Sequence, residues 1–311
     1  VGYQAMYSNT TGYGTAVGAN ALDANTTGTH NTSIGSTSLS ANSTGSYNSA
    51  LGHQALASNT TASQNTAVGY QAAYTATTGG SNTAMGYRSL RSLTTGSGNT
   101  ALGMHSLYSS TTAVYSTAVG HEALYQSTAN LNTAVGFQSA RATTSGTQNE
   151  SFGSTSLFTN TTGSYNVAIG RDSLYSNTTG GGNVAVGNLA LRSNTTAIHN
   201  VGIGRDALKT NTIGSNSTVV GYQAAYSNTE QTVTAFGYKA GYAQSGGTPG
   251  SNTWIGYQAG ISATTGGANT AVGRDGLAST TTGAYNTAVG AEALENNTTA
   301  SNNTAVGYQA L

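Results

Sequence analysis

The side chains with chemistry to offer are few and widely spaced in this sequence. Five histidines stand at His30, His53, His105, His121 and His199. A metal centre needs three or four ligands at converging spacings, and a catalytic base needs a partner that orients it. These histidines recur at no such spacing and read as surface decoration. "GRD" occurs at Gly170–Asp172, Gly204–Asp206 and Gly273–Asp275. A paired-carboxylate site would need two of these aspartates together, but the nearest two lie two repeats apart, roughly 10 Å at strand spacing. Each Asp is expected to pair with its adjacent Arg in solvent, worth under about 1 kcal/mol. "GIG" at Gly202–Gly204 lacks the third glycine and the strand–helix setting of a dinucleotide loop. Aspartates are too few for a calcium-binding solenoid. Cysteine is absent, which removes disulfides and thiolate metal sites. No catalytic residue, metal ligand or cofactor is expected, and the chain reads as a non-enzyme.

Other residues invite binding rather than catalysis. Asn-x-Thr/Ser occurs at Asn9, Asn25, Asn59, Asn160, Asn177, Asn194 and Asn297, among other places. Asn and Thr at a corner close turns with side-chain-to-backbone bonds. The same triplets would accept glycans, which would solubilise a surface so poor in charge. Tyrosine is abundant, with 19 residues, and Tyr70, Tyr108, Tyr175 and Tyr257 are candidates for surface recognition. Exposed Tyr gives flat contact area at low entropic cost, or it stacks between repeats and stiffens them. Trp254 and Pro249, each the only one of its kind, share an irregular 19-residue unit at 238–256. That unit reads as a bulged loop, with Trp254 as a candidate recognition spot.

These residues sit in a chain of unusual composition. Charged residues make up 6%, against about 25% in globular proteins. Lys plus Arg equals Asp plus Glu at 9 each, so no net field steers the chain to nucleic acid or anionic lipid. No apolar run approaches the roughly 18 residues of a membrane span. What orders such a chain is periodicity. A glycine closing a "TAVG"-like tetrad recurs nineteen times between Gly2 and Gly307, mostly 17 residues apart, with intervals of 16 at three places and 19 at one. The consensus is N-T-A-V-G-Y-Q-A-L-Y-S-N-T-T-G-S-Y, numbered so that this glycine is the fifth position.

In an extended segment the second and fourth positions point one way, the third and fifth the other. The fourth is always apolar, which nominates Val17, Ile34, Leu51, Val68, Met85, Leu102, Val119, Ile169, Val186 and Ile203 as the structural core. The third is nearly always Ala or another small residue, so both faces look packed, and the residues alone leave open which face is interior. Seventeen residues are too few for a strand plus a persistent helix, although "GYQAAYSN" at Gly221–Asn228 has the spacing of one helical turn. The expected fold is all-β: a parallel β-solenoid, or β-roll, of about nineteen coils in one continuous array over 1–311. One coil can bury little alone, whereas stacked coils share a core and satisfy each other's backbone. Asn at the first position (Asn65, Asn82, Asn99, Asn183) would then form a hydrogen-bonded ladder.

"NTAVGYQA" resembles the repeat in head domains of trimeric autotransporter adhesins, which are parallel β-rolls in trimers. "LFTNTTGSYNVAIG" at Leu157–Gly170 is similar to arrays in bacteriophage tail fibres. The resemblance implies coils side by side in a homotrimeric fibre at the cell surface, outside the cell or on a virion. It implies a shaft or adhesin giving reach, rigidity and multivalent attachment to surface glycans or proteins. The rival readings are a structural filament without a receptor, glycosylated or not, and an ice-binding solenoid. Homo-oligomerisation or longitudinal polymerisation is the expected partnership, with neither nucleic acid nor membrane insertion. Both ends fall inside a repeat, at Val1 and Leu311, so the array is expected to continue beyond them.

Overall fold

The computed structural model describes residues 1–10, 12–229, 232–246 and 251–311. Among these residues there is no helix, and eighteen strands of three or four residues recur once per repeat. The fold is an all-β parallel solenoid. Its coils fall into two compact units, Val1–Thr155 and Ser156–Leu311. The first holds β1 (Gly14–Val17) to β9 (Glu150–Phe152), the second β10 (Val167–Ile169) to β18 (Thr304–Val306).

Within each unit, equivalent residues lie directly over one another. In the first, Thr66 pairs with Thr83, Ala67 with Ala84 and Val68 with Met85. In the second, Val184 pairs with Val201 and Val186 with Ile203. Register survives the irregular intervals: Thr117 pairs with Thr133 across a 16-residue repeat and Thr234 with Thr253 across the 19-residue one. A one-residue slip would turn every inward side chain outward, whereas a solvent turn absorbs a change in length freely. Pro249 lies outside the described residues.

Left-handed backbone makes the coil. At the seventh and ninth positions φ is positive for ordinary residues, as at Gln223 (53°) and Ala225 (46°). That alternation excludes the helical turn suggested by the spacing at Gly221–Asn228. Leu56 and Leu90 sit at φ 52° and 49°, each at a cost of about 1–2 kcal/mol. Complete burial of the same leucines returns about 1.5–3 kcal/mol. The fifth-position glycines serve close approach as well: at Gly69 (φ +131°) a Cβ would stand 2.6 Å from the carbonyl oxygen of Gly86 on the next coil. A glycine after Asn-Thr-Thr suits a turn position with positive φ. Gly28 instead lacks it, and Ala62 holds the equivalent place; the constraint there is the Gly45 carbonyl, 2.3 Å from a Cβ on Gly28.

The interior is narrow. It is filled by third-position alanines (Ala67, Ala84, Ala101, Ala118), eighth-position Ala or Ser, and in most coils a ninth-position leucine (Leu56, Leu90, Leu107, Leu124). The expectation of a fourth-position core is corrected. Val17, Ile34, Leu51, Met85, Ile169 and Ile203 are 37–48% exposed, and Val68, Leu102, Val119 and Val186 are half-buried. All stand on the outer face of the strands. The bends admit only a methyl group opposite each leucine, so alanine takes the inward place and strand alternation sends the fourth position out.

Two asparagine ladders complete the interior. At the first position, Asn82 Nδ2 donates to Asn65 Oδ1 at 3.1 Å and Asn99 Nδ2 to Asn82 Oδ1 at 3.0 Å. At the twelfth, Asn42 Nδ2 donates to Asn25 Oδ1 and Asn59 Nδ2 to Asn42 Oδ1, at 2.8 and 2.7 Å. Backbone amides reach neighbouring coils on both sides, Gly69 N to Leu51 O and Ala73 N to Ser89 O. A coil with neighbours above and below can meet its backbone donors within the stack, although the buried hydroxyls of Ser110 and Ser127 find no partner.

Candidate functional site

With the interior assigned, the outer positions can be read for chemistry. The twelfth-position asparagines are the first to be settled. Asn25, Asn59, Asn160, Asn177 and Asn194 are wholly buried. Their Nδ2 atoms, where a glycan would attach, all donate to the carbonyl three residues on, and those of Asn25, Asn59, Asn177 and Asn194 also donate to the preceding Asn, as Asn177 does to Gly180 O and Asn160 Oδ1. These five are corrected: they are turn and ladder residues, inaccessible to glycosylation in the fold. Asn9 and Asn297 are half-buried, with Nδ2 donating to Gly12 O and Ala300 O.

Trp254 is likewise corrected. Its indole is completely buried, in a third position that alanine holds in neighbouring coils. Space comes from the leucine column, where Gly241 and Gly260 stand in its place. A Cβ on either would come within 2.4 Å of the Trp254 ring. The indole Nε1 donates to Gln244 Oε1 at 2.9 Å. Trp254 is thus a packing residue, and the signal lay in the sequence: two glycines replace leucines where one tryptophan replaces alanine.

The tyrosines occupy the outer surface. Tyr70 and Tyr257 are 40% and 50% exposed, while Tyr108 and Tyr175 are half-buried. The structure stacks them along the coil axis: Tyr70 on Tyr87 at 5.3 Å, Tyr108 on Tyr125 at 5.1 Å, Phe158 on Tyr175 at 5.2 Å, Tyr238 on Tyr257 at 5.1 Å. Such pairs add about 0.5–1.5 kcal/mol each beyond area burial. Three of the five histidines join ring stacks, His30 with Tyr47, His53 with Tyr70 and His121 with Phe137, and His105 meets Tyr108 edge-on. Among the described residues, no three His, Asp or Glu side chains converge as metal ligands.

Charge follows a pattern that composition hides. All nine Lys and Arg occupy the sixth, seventh or tenth position, and seven of the nine acidic residues the seventh or tenth. These columns adjoin: Arg141 at a tenth position binds Glu122 at a seventh, 2.7 Å away. Hydrogen bonds from Arg141 and Gln138 outweigh the burial that opposes them and hold the Glu122 carboxyl below its usual range. Each "GRD" pairs internally, Arg171 with Asp172, Arg205 with Asp206 and Arg274 with Asp275. Asp206, 4% exposed, also holds Lys209 at 3.0 Å. That contact and Tyr226 raise the Lys209 pKa against its burial. The strands' outer face differs: within each unit its fourth-position aliphatics form a stripe flanked by second-position Thr, Val or Ser, interrupted by a single charge, Glu150 of the first unit. No protein-family model matches the chain, and no curated protein matches it.

Proposed function

We propose that the chain is the non-enzymatic shaft of an extracellular or virion fibre. Copies associate side by side, as a homotrimer, through the aliphatic stripe, and the decorated face turns outward for multivalent attachment to surface glycans or proteins. The observation that carries this reading is the stripe itself. Apolar residues at every fourth position, with Val17, Leu51 and Met85 at 43–48% exposure, serve nothing in a lone coil. Covering the exposed part of each supplies about 1 kcal/mol. The nine coils of one unit together supply on the order of 9 kcal/mol, comparable with the roughly 4–15 kcal/mol entropic cost of association. A long array therefore associates where a short one would not. The resemblance to adhesin and tail-fibre repeats supports the same geometry.

Sedimentation of the purified chain tests it. A trimer mass is expected, and the double variant V68K/V119K should lower that mass while the β circular dichroism signal persists. A monomeric wild type would overturn the reading. A trimer that is retained by no glycan or cell surface would favour the receptor-free filament.

A further inference from the structure

All nine cations fall in the sixth, seventh and tenth columns, yet they are not equally neutralised. Arg88 and Arg91 have no carboxylate within ion-pair distance among the described residues; the nearby Glu122 is held by Arg141. Both guanidiniums converge on a neutral acceptor instead. Arg88 Nε and Arg91 Nε donate to Gln71 Oε1 at 3.1 and 3.2 Å. Gln71 is 8% exposed and is fixed in turn by donating from Nε2 to Gln54 Oε1 at 2.8 Å. The clamp uses one N–H of each arginine, leaving the four Nη–H donors of each fork for another partner. Aromatic rings hold the forks in place: Arg88 lies 5.7 and 5.0 Å from the Tyr70 and Tyr87 centroids, Arg91 5.5 and 5.8 Å from those of Tyr74 and Tyr108. Two like charges held together by design, on a buried amide and without a counter-ion, are poised for an anion.

The surroundings narrow the class. A single-stranded nucleic acid would need open ring faces on which to stack its bases. Here Tyr70 is covered by His53 on one side and Tyr87 on the other, at 5.6 and 5.3 Å. What the rings leave to solvent suits a hydroxyl-rich chain. We propose that Arg88 and Arg91, clamped on Gln71 and framed by Tyr70, Tyr74, Tyr87 and Tyr108, bind the carboxylate or sulfate groups of a linear acidic glycan. The inference rests on the attachment reading for its biological sense, but the site needs one chain only and is tested separately from self-association.

The experiment measures binding of the full chain to a uronic-acid oligosaccharide, a sulfated oligosaccharide, a neutral glucan of equal length, inorganic sulfate and an oligothymidylate. The acidic oligosaccharides should bind, the glucan should not, and R88Q/R91Q should weaken binding about a hundredfold, tenfold for each arginine. Arg274→Gln, at an arginine already paired with Asp275 and Glu292, should change affinity little. Circular dichroism and sedimentation of each variant report folding and assembly independently, and R88K/R91K, which keeps the charge, should retain part of the affinity. Wild-type affinity in R88Q/R91Q would overturn the proposal. So would binding of oligothymidylate in preference to the acidic sugars, or of inorganic sulfate with neither glycan.

Discussion

Asparagine is the ladder-forming residue of this interior because its amide carries donors and an acceptor on one rigid plane. Stacked at strand spacing, identical amides bond along the axis without a change of rotamer. Asn42 makes the full set: Nδ2 donates to Asn25 Oδ1 and to Gly45 O at 2.8 and 2.9 Å, and Oδ1 accepts from Asn59 at 2.7 Å. Asn42→Ala removes three bonds and strands buried partners, so a loss of about 2–3 kcal/mol is expected in chemical denaturation. Asn42→Asp keeps the shape but puts a carboxylate against Asn25 Oδ1 and the Gly45 carbonyl. At neutral pH it should cost more than the alanine. Burial and facing oxygens raise the pKa of such a carboxyl in the folded state. The penalty is therefore present above that folded pKa and fades as pH falls through it, when the protonated acid donates again. Equal stability of the two variants at neutral pH would show that the ladder runs otherwise.

At the scale of one coil, volume is conserved across columns. Trp254 fills the space that Leu277 and other ninth-position leucines occupy elsewhere, with Gly241 and Gly260 withdrawn to admit it. Trp254→Ala should destabilise by about 3–5 kcal/mol through the cavity it leaves. Adding Gly260→Leu should recover part of that loss, because Leu277 in the next coil adopts the same left-handed backbone, φ 51° against 60° at Gly260. Gly260→Leu alone should be worse than wild type, since the new side chain meets the indole. Melting curves of the three variants check the order. The coil was legible in the sequence to this depth: the period placed every strand, and alternation paired third with fifth and second with fourth positions. It did not say which side was inside. Two small residues and two β-branched ones pack equally well on paper, and the choice depends on bends at the seventh, ninth and seventeenth positions. There Gln, Leu and Tyr adopt positive φ with no glycine to announce it, as at Gln54, Leu56 and Tyr47. The buried state of Asn25 and its equivalents was hidden for the same reason, because an Asn-Thr-Thr turn is normally a surface feature.

For the molecule as a whole, the two outer faces divide the labour that the composition leaves open. In each unit the sixth, seventh and tenth columns bear the basic residues and stacked tyrosines, while the second and fourth columns bear mostly β-branched and other apolar residues, with Glu150 of the first unit as their single charge. Glu150 takes the second position, in register with Thr133. Glu150 is exposed in the single chain, yet partial desolvation against the strand raises its pKa, opposed by a hydrogen bond from its own backbone. A carboxyl with a raised folded-state pKa weakens the fold at higher pH, and the penalty disappears as pH falls through that pKa. If the stripe is where copies meet, association buries Glu150 further and raises its pKa again, so assembly takes up protons. Self-association should then tighten on mild acidification, in the window at and above the ordinary glutamate range. Glu150→Thr, restoring the residue of the neighbouring coils, should tighten it several-fold at neutral pH and flatten the pH dependence. Sedimentation equilibrium across that range measures both. Association that is blind to pH and to Glu150→Thr would place the contact elsewhere on the coil and leave the aliphatic stripe without an occupant.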